Sequence, residues 1–125
     1  MKLKKLIVCL FLIISLVGCI ERTYDYNLDY SKRETPLYPK VGETINITLP
    51  VATGCEWRNS VYDNKILLFK EQYETKHIHN QSIYKTQSFI FSCIQTGPTI
   101  INLEEIRKDT NKQVDTFSMF VQVGE

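Results

Sequence analysis

The part of the sequence that most constrains the fold is residues 44–57, which read T-I-N-I-T-L-P-V-A-T-G-C-E-W. The first six residues alternate polar and apolar side chains, which is the period of a half-buried β-strand. Pro50 has no backbone N–H and is expected to end that strand. After a short loop ending in Gly54, which can adopt a left-handed conformation, Cys55 and Trp57 share one parity. The segment therefore predicts two core strands joined by an exposed loop.

Four later segments also have the composition of short strands, and turn-forming residues separate them. These segments are residues 66–73, 86–94, 100–106 and 114–123. The polar residues 74–85 and 107–113 are expected to form loops. Because the pattern has no helical period, it predicts an all-β fold, an immunoglobulin-like β-sandwich of about seven strands.

The N-terminus has the pattern of an export signal. Three lysines precede an apolar run over residues 6–17, which is too short to span a bilayer comfortably. The next residues, Leu16-Val17-Gly18-Cys19, resemble the lipobox of bacterial lipoproteins, in which the cysteine is diacylated and becomes the first mature residue. An uncleaved anchor and a signal without lipidation are the alternatives. The resemblance implies a protein of the cell envelope that is lipid-anchored through Cys19, at the outer membrane or the cell surface.

The predicted organisation is a signal peptide over residues 1–18, a lipidated N-terminus and tether over 19–37, and a β-sandwich domain over 38–125. The tether is polar, and prolines interrupt it, although its end near Leu37 is a candidate for joining the sheet edge. Residues 19–125 contain 12 basic and 14 acidic side chains, a net charge of −2. This balance gives no electrostatic reason to expect a nucleic-acid partner.

Two cysteines remain once the other two are accounted for. Cys9 lies in the signal peptide and Cys19 is the predicted lipid site, which leaves Cys55 and Cys93. An even pair in an exported domain predicts a Cys55–Cys93 disulfide. The alternative is two reduced, buried thiols that act as small hydrophobic side chains.

The sequence contains no G-x-S-x-G elbow, no H-E-x-x-H and no P-loop. Glu104 and Glu105 are adjacent, so on a strand they would point to opposite faces. His77 and His79 could share one side of a strand as metal ligands, but the sequence has no third ligand at a spacing typical of a metal site. The alternative is an exposed polar segment. We therefore expect no enzymatic activity, no cofactor and no metal site.

The segment from Val41 to Trp57 resembles the chagasin-type inhibitors of papain-like cysteine proteases. It has V-G-E at 41–43, I-x-L-P at 47–50 and A-T-G-C-E-W at 52–57, beside N-P-T-T-G-[YF]-x-W in the family. The similarity continues through F-x-F-x-C at 89–93, Gly97, I-x-L at 101–103, Arg107 and F-x-M-x-V at 117–121. It covers residues 38–123, nearly the whole predicted domain.

The resemblance implies a β-sandwich in which three neighbouring loops form a wedge that plugs the protease cleft without being cut. Its implied function is reversible inhibition of a papain-like cysteine protease. The residues that the resemblance assigns to protease contact are Val51, Ala52, Thr53, Gly54 and Arg107.

Two of the three loops differ from the family pattern. The family's second loop is rich in glycine, whereas residues 76–84 contain none, and its third loop carries R-P-W or R-P-F where this chain has Arg107-Lys108-Asp109. The alternative function is therefore a non-inhibitory surface or periplasmic lipoprotein that binds another partner with an immunoglobulin-like fold.

Overall fold

The structure is a computed structural model, and it describes residues 23–61 and 64–125. This part of the chain forms seven strands and one short 3₁₀ helix, Tyr30–Lys32. The strands are β1 (Tyr26–Leu28), β2 (Thr44–Val51), β3 (Cys55–Val61), β4 (Leu67–His79), β5 (Ser82–Cys93), β6 (Gly97–Arg107) and β7 (Gln113–Val123).

The strands form two sheets that face each other. One sheet has the order β1-β2-β5-β4 and the other the order β3-β6-β7. Only β1 and β2 pair in parallel among the described strands, and the other neighbours are antiparallel. This arrangement confirms the predicted immunoglobulin-like β-sandwich of seven strands.

The core lies between the sheets and consists of the inward residues of alternating strand positions. Trp57 of β3 is 1% exposed and is the largest of the fully buried side chains. The others include Ile45, Ile47, Leu49, Phe89, Phe91, Ile101, Leu103, Phe117, Met119 and Val121. The alternation in residues 44–49 and the shared parity of Cys55 and Trp57 therefore correctly predicted the buried faces of β2 and β3.

Strand β2 continues past the proline that was expected to end it. Pro50 pairs with Thr86 and Val51 pairs with Lys85, so the loop after β2 begins one residue later than predicted. The carbonyl oxygen of Pro50 accepts the indole N–H of Trp57 at 2.7 Å instead of a bond from β5. Within a strand, the N–H and the C=O of one residue point to the same side, and the C=O of Pro50 points away from β5 towards Trp57. An N–H at this position would also point away from β5, so its absence in proline costs no hydrogen bond of the β2–β5 ladder.

The predicted loop over residues 74–85 is instead the end of a long hairpin. β4 pairs with β5 as far as His79 and Ser82, and its register shifts between Phe69 and Glu71, which marks a β-bulge or a similar irregularity. Asn80 and Gln81 make the turn with positive φ angles of 47° and 66°. Polar side chains fit this ribbon because they face solvent.

The predicted tether over residues 19–37 is too long, because its second half belongs to the fold. Tyr26–Leu28 adds a parallel strand to β2, and the N–H of Glu34 donates to the carbonyl of Ser118 on β7 at 2.7 Å. Leu37 forms a bridge with Val121, as expected for the end of the tether. This segment therefore crosses from the edge of one sheet to the edge of the other. The predicted signal peptide and Cys19 lie outside the described residues.

The predicted disulfide is absent, and Cys55 and Cys93 are free, buried thiols. Cys55 begins β3 just after β2 ends, whereas Cys93 lies beside the first residue of β2, since Thr44 pairs with Ser92. The eight residues of β2 separate these two ends. That strand is roughly 25 Å long, far beyond the ~7 Å limit between disulfide-linked Cα atoms. The alternative of two small hydrophobic thiols is therefore the correct one.

Among residues 23–61 and 64–125, no helix is long and apolar enough to cross a membrane.

Candidate functional site

The connection between β2 and β3 is a tight turn over residues 52–55, which we call the β2–β3 turn. The N–H of Cys55 donates to the carbonyl oxygen of Ala52 at 3.0 Å and closes a four-residue β-turn. Gly54, the third residue, has a φ of 78°, the sign that a type II turn requires there. Ala52, Thr53 and Gly54 are exposed, as the sequence predicted for this loop.

The tip of the β2–β3 turn keeps backbone donors free. Within the described part of the chain, the N–H groups of Thr53 and Gly54 form no hydrogen bond. The hydroxyl of Thr53 is a further small polar group beside them. Groups of this kind are solvated in the free protein and can pair with the extended backbone of a partner.

Side chains from both sheets hold the strands next to the turn. Oε2 of Glu105 on β6 accepts the N–H of Ala52 at 3.0 Å. The side-chain amide of Gln87 on β5 accepts the N–H of Trp57 at 2.5 Å and donates to its carbonyl at 3.3 Å, which ties the two sheets together. Neither Glu105 nor Gln87 was predicted from the sequence to support the turn, although a polar residue at an inward strand position is the signal that could have identified them.

Residues 108–112, the β6–β7 loop, lie directly beside the turn. The N–H of Lys108 donates to the carbonyl oxygen of Gly54 at 3.0 Å. Arg107, the last residue of β6, is exposed, and its Nε lies 3.6 Å from Oδ1 of Asp109. Because an exposed ion pair of this kind contributes little stability, the guanidinium can exchange Asp109 for another acceptor at small cost.

The β4–β5 hairpin extends past the end of β2. Val51 pairs with Lys85, and residues 77–84 continue beyond it as a two-stranded ribbon, the hairpin tip. Three large apolar side chains of this tip are exposed: Ile78 at 74%, Ile83 at 61% and Tyr84 at 51%. Ile78 and Ile83 are cross-strand partners on one face of the ribbon, whereas Tyr84 points to the opposite face, where its ring stacks on His77. An exposed apolar pair such as Ile78 and Ile83 is typical of a surface that contacts a partner. None of the three was predicted from the sequence as a site residue, although bulky apolar residues in a polar segment were a visible signal.

A single cavity of about 220 Å³ borders all three connections. Its lining includes Thr53 and Gly54 from the β2–β3 turn, Ile83 and Tyr84 from the hairpin tip, and Lys108 from the β6–β7 loop. The three loops therefore lie at one end of the sandwich, which we call the turn end. The structure brings together the predicted contact residues 51–54 and places Arg107 at the same end.

The two histidines singled out in the sequence lie on the same hairpin and have other partners. The His77 ring stacks on Tyr84 with centroids 4.7 Å apart, and its Nε2 lies 3.0 Å from Oγ1 of Thr86. Nε2 of His79 lies 3.3 Å from the side-chain nitrogen of Asn80. In the parts of the chain that the structure describes, no group of three or more His, Cys, Asp or Glu side chains could hold a metal ion.

The opposite end of the sandwich, the entry end, is where the described chain begins. β1 runs parallel to β2, with Tyr26 beside Ile45, so the chain enters where β2 starts. Cys93 lies at this end, and burial, assisted by the negative charges of Glu43 and Asp25, raises the pKa of its thiol to about 11. Such a thiol stays protonated at neutral pH and is a poor nucleophile.

Comparison of the fold with solved structures identifies related architectures. The cysteine protease inhibitor EhICP2 from Entamoeba histolytica matches with a TM-score of 0.69 and 16% sequence identity, over 79% of this chain and 95% of that one. Amebosin matches with a TM-score of 0.60 and 20% identity, over 79% of this chain and 97% of that one. PbICP-C, in a complex with falcipain-2, has a TM-score of 0.49, which is too low to support an argument.

No model of a protein family matches the sequence, and no curated protein sequence matches it. The structural matches have low identity and therefore establish the architecture. This chain has the fold of a cysteine protease inhibitor, which confirms, at the level of the fold, the chagasin-type resemblance found in the sequence.

Proposed function

We propose that this protein is a reversible inhibitor of papain-like cysteine proteases and that its turn end blocks the active-site cleft. The observation that carries the proposal is the exposed β2–β3 turn with two loops beside it, on the fold of the inhibitor EhICP2. The turn is held by bonds to Glu105 and Lys108 before any partner arrives. Because it is already ordered, binding costs it little conformational entropy.

Inhibition by the turn needs no covalent step. Residues 52–54 enter the cleft, and the free N–H groups of Thr53 and Gly54 pair with acceptors that would otherwise bind a substrate backbone. Gly54 has no side chain and allows close approach of the two backbones. The chain passes the catalytic residues as a type II turn rather than as an extended strand, so its peptide bonds are not presented for cleavage.

The neighbouring loops supply flanking contacts. Ile78 and Ile83 of the hairpin tip, which share one face of the ribbon, offer apolar surface on one side of the turn, and Arg107 offers a guanidinium for a carboxylate on the other. The hairpin tip therefore takes the place of the glycine-rich second loop that the sequence lacks. Its length and apolar character support a contact made by side chains rather than by bare backbone.

We also propose that the mature protein is a lipoprotein of the cell envelope, anchored through Cys19 at the outer membrane or the cell surface. The lipobox-like residues 16–19 after an apolar run support this proposal.

The decisive experiment is a titration of the soluble form starting at residue 20 against several papain-like enzymes, with a serine protease as the control. We expect inhibition of at least one cysteine protease at micromolar concentration or below, and none of the serine protease. Absence of inhibition would favour a lipoprotein domain that binds another partner. Inhibition that survived both Gly54→Val and Arg107→Ala would keep the activity but reject the proposed site.

A further inference from the structure

Glu105 is a buried acid at a position where the fold would accept an apolar residue. It is 6% exposed and lies on the inward face of β6, two residues after the fully buried Leu103. Burial of a carboxylate costs free energy unless hydrogen bonds compensate for it. The bond from the N–H of Ala52 to Oε2 of Glu105 is therefore the feature of this position that calls for an explanation.

The carboxylate of Glu105 has a second acid next to it. Its cross-strand partner on β7 is Asp115, and both side chains line a cavity of about 280 Å³ beneath the start of the turn. Oδ2 of Asp115 accepts the hydroxyl of Tyr30 at 2.8 Å. This hydrogen bond is the main reason that the pKa of Tyr30 is raised.

Tyr30 also packs near Trp57, which is hydrogen-bonded to the strand before the turn. The centroids of the Tyr30 and Trp57 rings lie 6.4 Å apart. The indole N–H of Trp57 donates to the carbonyl oxygen of Pro50, two residues before Ala52. Tyr30 belongs to the 3₁₀ helix of the segment that the sequence assigned to a tether. The guanidinium of Arg33 lies 4.6 Å from the centre of the Tyr30 ring and donates to its hydroxyl, which fixes the ring from the solvent side.

From this geometry we infer that Glu105 and Tyr30 are positioning residues for the β2–β3 turn, so that the N-terminal segment is part of the binding site. Glu105 holds the turn by the Ala52 amide. Tyr30, which is fixed by its hydrogen bond to Asp115, packs near Trp57, and the indole N–H of Trp57 holds the carbonyl oxygen of Pro50 at the end of β2. The expected effect of these residues on inhibition rests on the proposed function. The ordering of the turn by these two residues is a separate property that can be measured in the free protein.

The test compares conservative and disruptive variants at the two positions. Glu105→Leu keeps the volume and removes the acceptor, Glu105→Gln keeps an acceptor oxygen, and Tyr30→Phe removes only the hydroxyl. The matched controls are Glu104→Leu, on the opposite face of the same strand, and Tyr38→Phe, an exposed tyrosine just after the segment that contains Tyr30. For each protein, NMR gives the hydrogen-exchange rate of the Ala52 amide, and a titration gives the inhibition constant against a papain-like protease.

We expect Glu105→Leu to speed exchange of the Ala52 amide and raise the inhibition constant, each by about tenfold, the effect of one hydrogen bond to a charged group. Glu105→Gln should recover most of both losses, Tyr30→Phe should cause a smaller change in the same direction, and the controls should match the wild type. Unchanged Ala52 exchange in Glu105→Leu, or an equal effect of Glu104→Leu, would overturn the inference. If the wild type inhibited no protease, the proposed function would be wrong, and the exchange rates alone would decide whether these residues order the turn.

Discussion

The N–H of Lys108 donates to the carbonyl oxygen of Gly54 at 3.0 Å, and this bond couples the two loops that the resemblance assigns to protease contact. The bond lies just beyond the pair Cys55 and Arg107, which is the final pair of the β3–β6 ladder at the turn end. The β2–β3 turn and the β6–β7 loop are therefore hydrogen-bonded to each other directly beside the sheet. A change in the backbone of one loop is expected to displace the other, so effects of substitutions in the two loops should not be additive.

Gly54→Val is expected to be the most damaging single substitution in the turn. A Cβ at this position would meet no atom within 4 Å, so its cost comes from the backbone φ of 78°, which a β-branched residue resists. We expect a loss of about 1–3 kcal/mol of stability and a larger loss of inhibition, since the turn changes shape. Thermal unfolding and inhibition titrations measure the two effects.

Gly42→Val is the matched control for Gly54→Val. Gly42 has a φ of 92° and equally free space for a Cβ, but it lies at the entry end of the sandwich. It should lose similar stability and keep its inhibition constant. Equal loss of inhibition in both variants would mean that stability, rather than the shape of the turn, controls binding.

Thr53→Ala is expected to weaken inhibition by about 1 kcal/mol, close to fivefold, if its hydroxyl makes one ordinary hydrogen bond to the protease. Thr53 is exposed, so the melting temperature should stay at the wild-type value. Thr96→Ala, an exposed threonine in the connection between β5 and β6 at the entry end, is the control. An inhibition constant equal to that of the control would remove the Thr53 hydroxyl from the site.

The sequence could predict the turn because one short local pattern specified it, a strand ending in Thr-Gly before a buried tryptophan. It could also predict the buried faces of β2 and β3, because alternation reports on which side of the strand a residue points. Alternation does not report how far along the strands two residues lie. The predicted Cys55–Cys93 disulfide rested on an even pair of cysteines in an exported domain, and that count also says nothing of position, since the two thiols lie at opposite ends of the core.

The tether was extended too far for a related reason. β1 has three residues, too few to show any period, and its pairing with β2 is determined by tertiary contacts. The contribution of Glu105 also could not be read from the sequence, since its partner is a backbone amide 53 positions away in the chain. Both features depend on which strands come together, which is information that a local pattern does not contain.

Ile83→Ser is expected to weaken inhibition by about tenfold, because burial of one large apolar side chain against a partner is lost. Ile83 is 61% exposed at the hairpin tip, so the substitution should leave the stability of the free domain unchanged. Ile100→Ser is the control, since this side chain is 52% exposed on β6. Equal inhibition constants for the two variants would exclude the hairpin tip from the protease contact.

Cys93 is expected to make the stability of the domain depend on alkaline pH. Its pKa is about 11 in the folded protein against an ordinary value of 9.0, so the folded state holds its proton more tightly than the unfolded state does. The associated stability is complete below pH 9 and is lost as the pH rises towards 11, in total about 2–3 kcal/mol. The free energy of unfolding measured against pH should fall more steeply for the wild type than for Cys93→Ala. Parallel curves would contradict the raised pKa.

Cys19→Ala is expected to abolish anchoring by lipid and leave the inhibitory site intact. If Cys19 carries lipid, the wild-type protein should partition into membranes and the variant should accumulate as unprocessed precursor or lose its lipid.

The described chain enters at the end where β2 begins, and the β2–β3 turn lies at the other end, roughly 25 Å away along that strand. A lipid-anchored domain would therefore direct its turn end away from the membrane, towards proteases in solution. We expect the wild type on lipid vesicles and the soluble form from residue 20 to have equal inhibition constants, within about threefold. Normal maturation and membrane partition of Cys19→Ala would exclude lipidation, whereas inhibition lost only on vesicles would exclude this orientation.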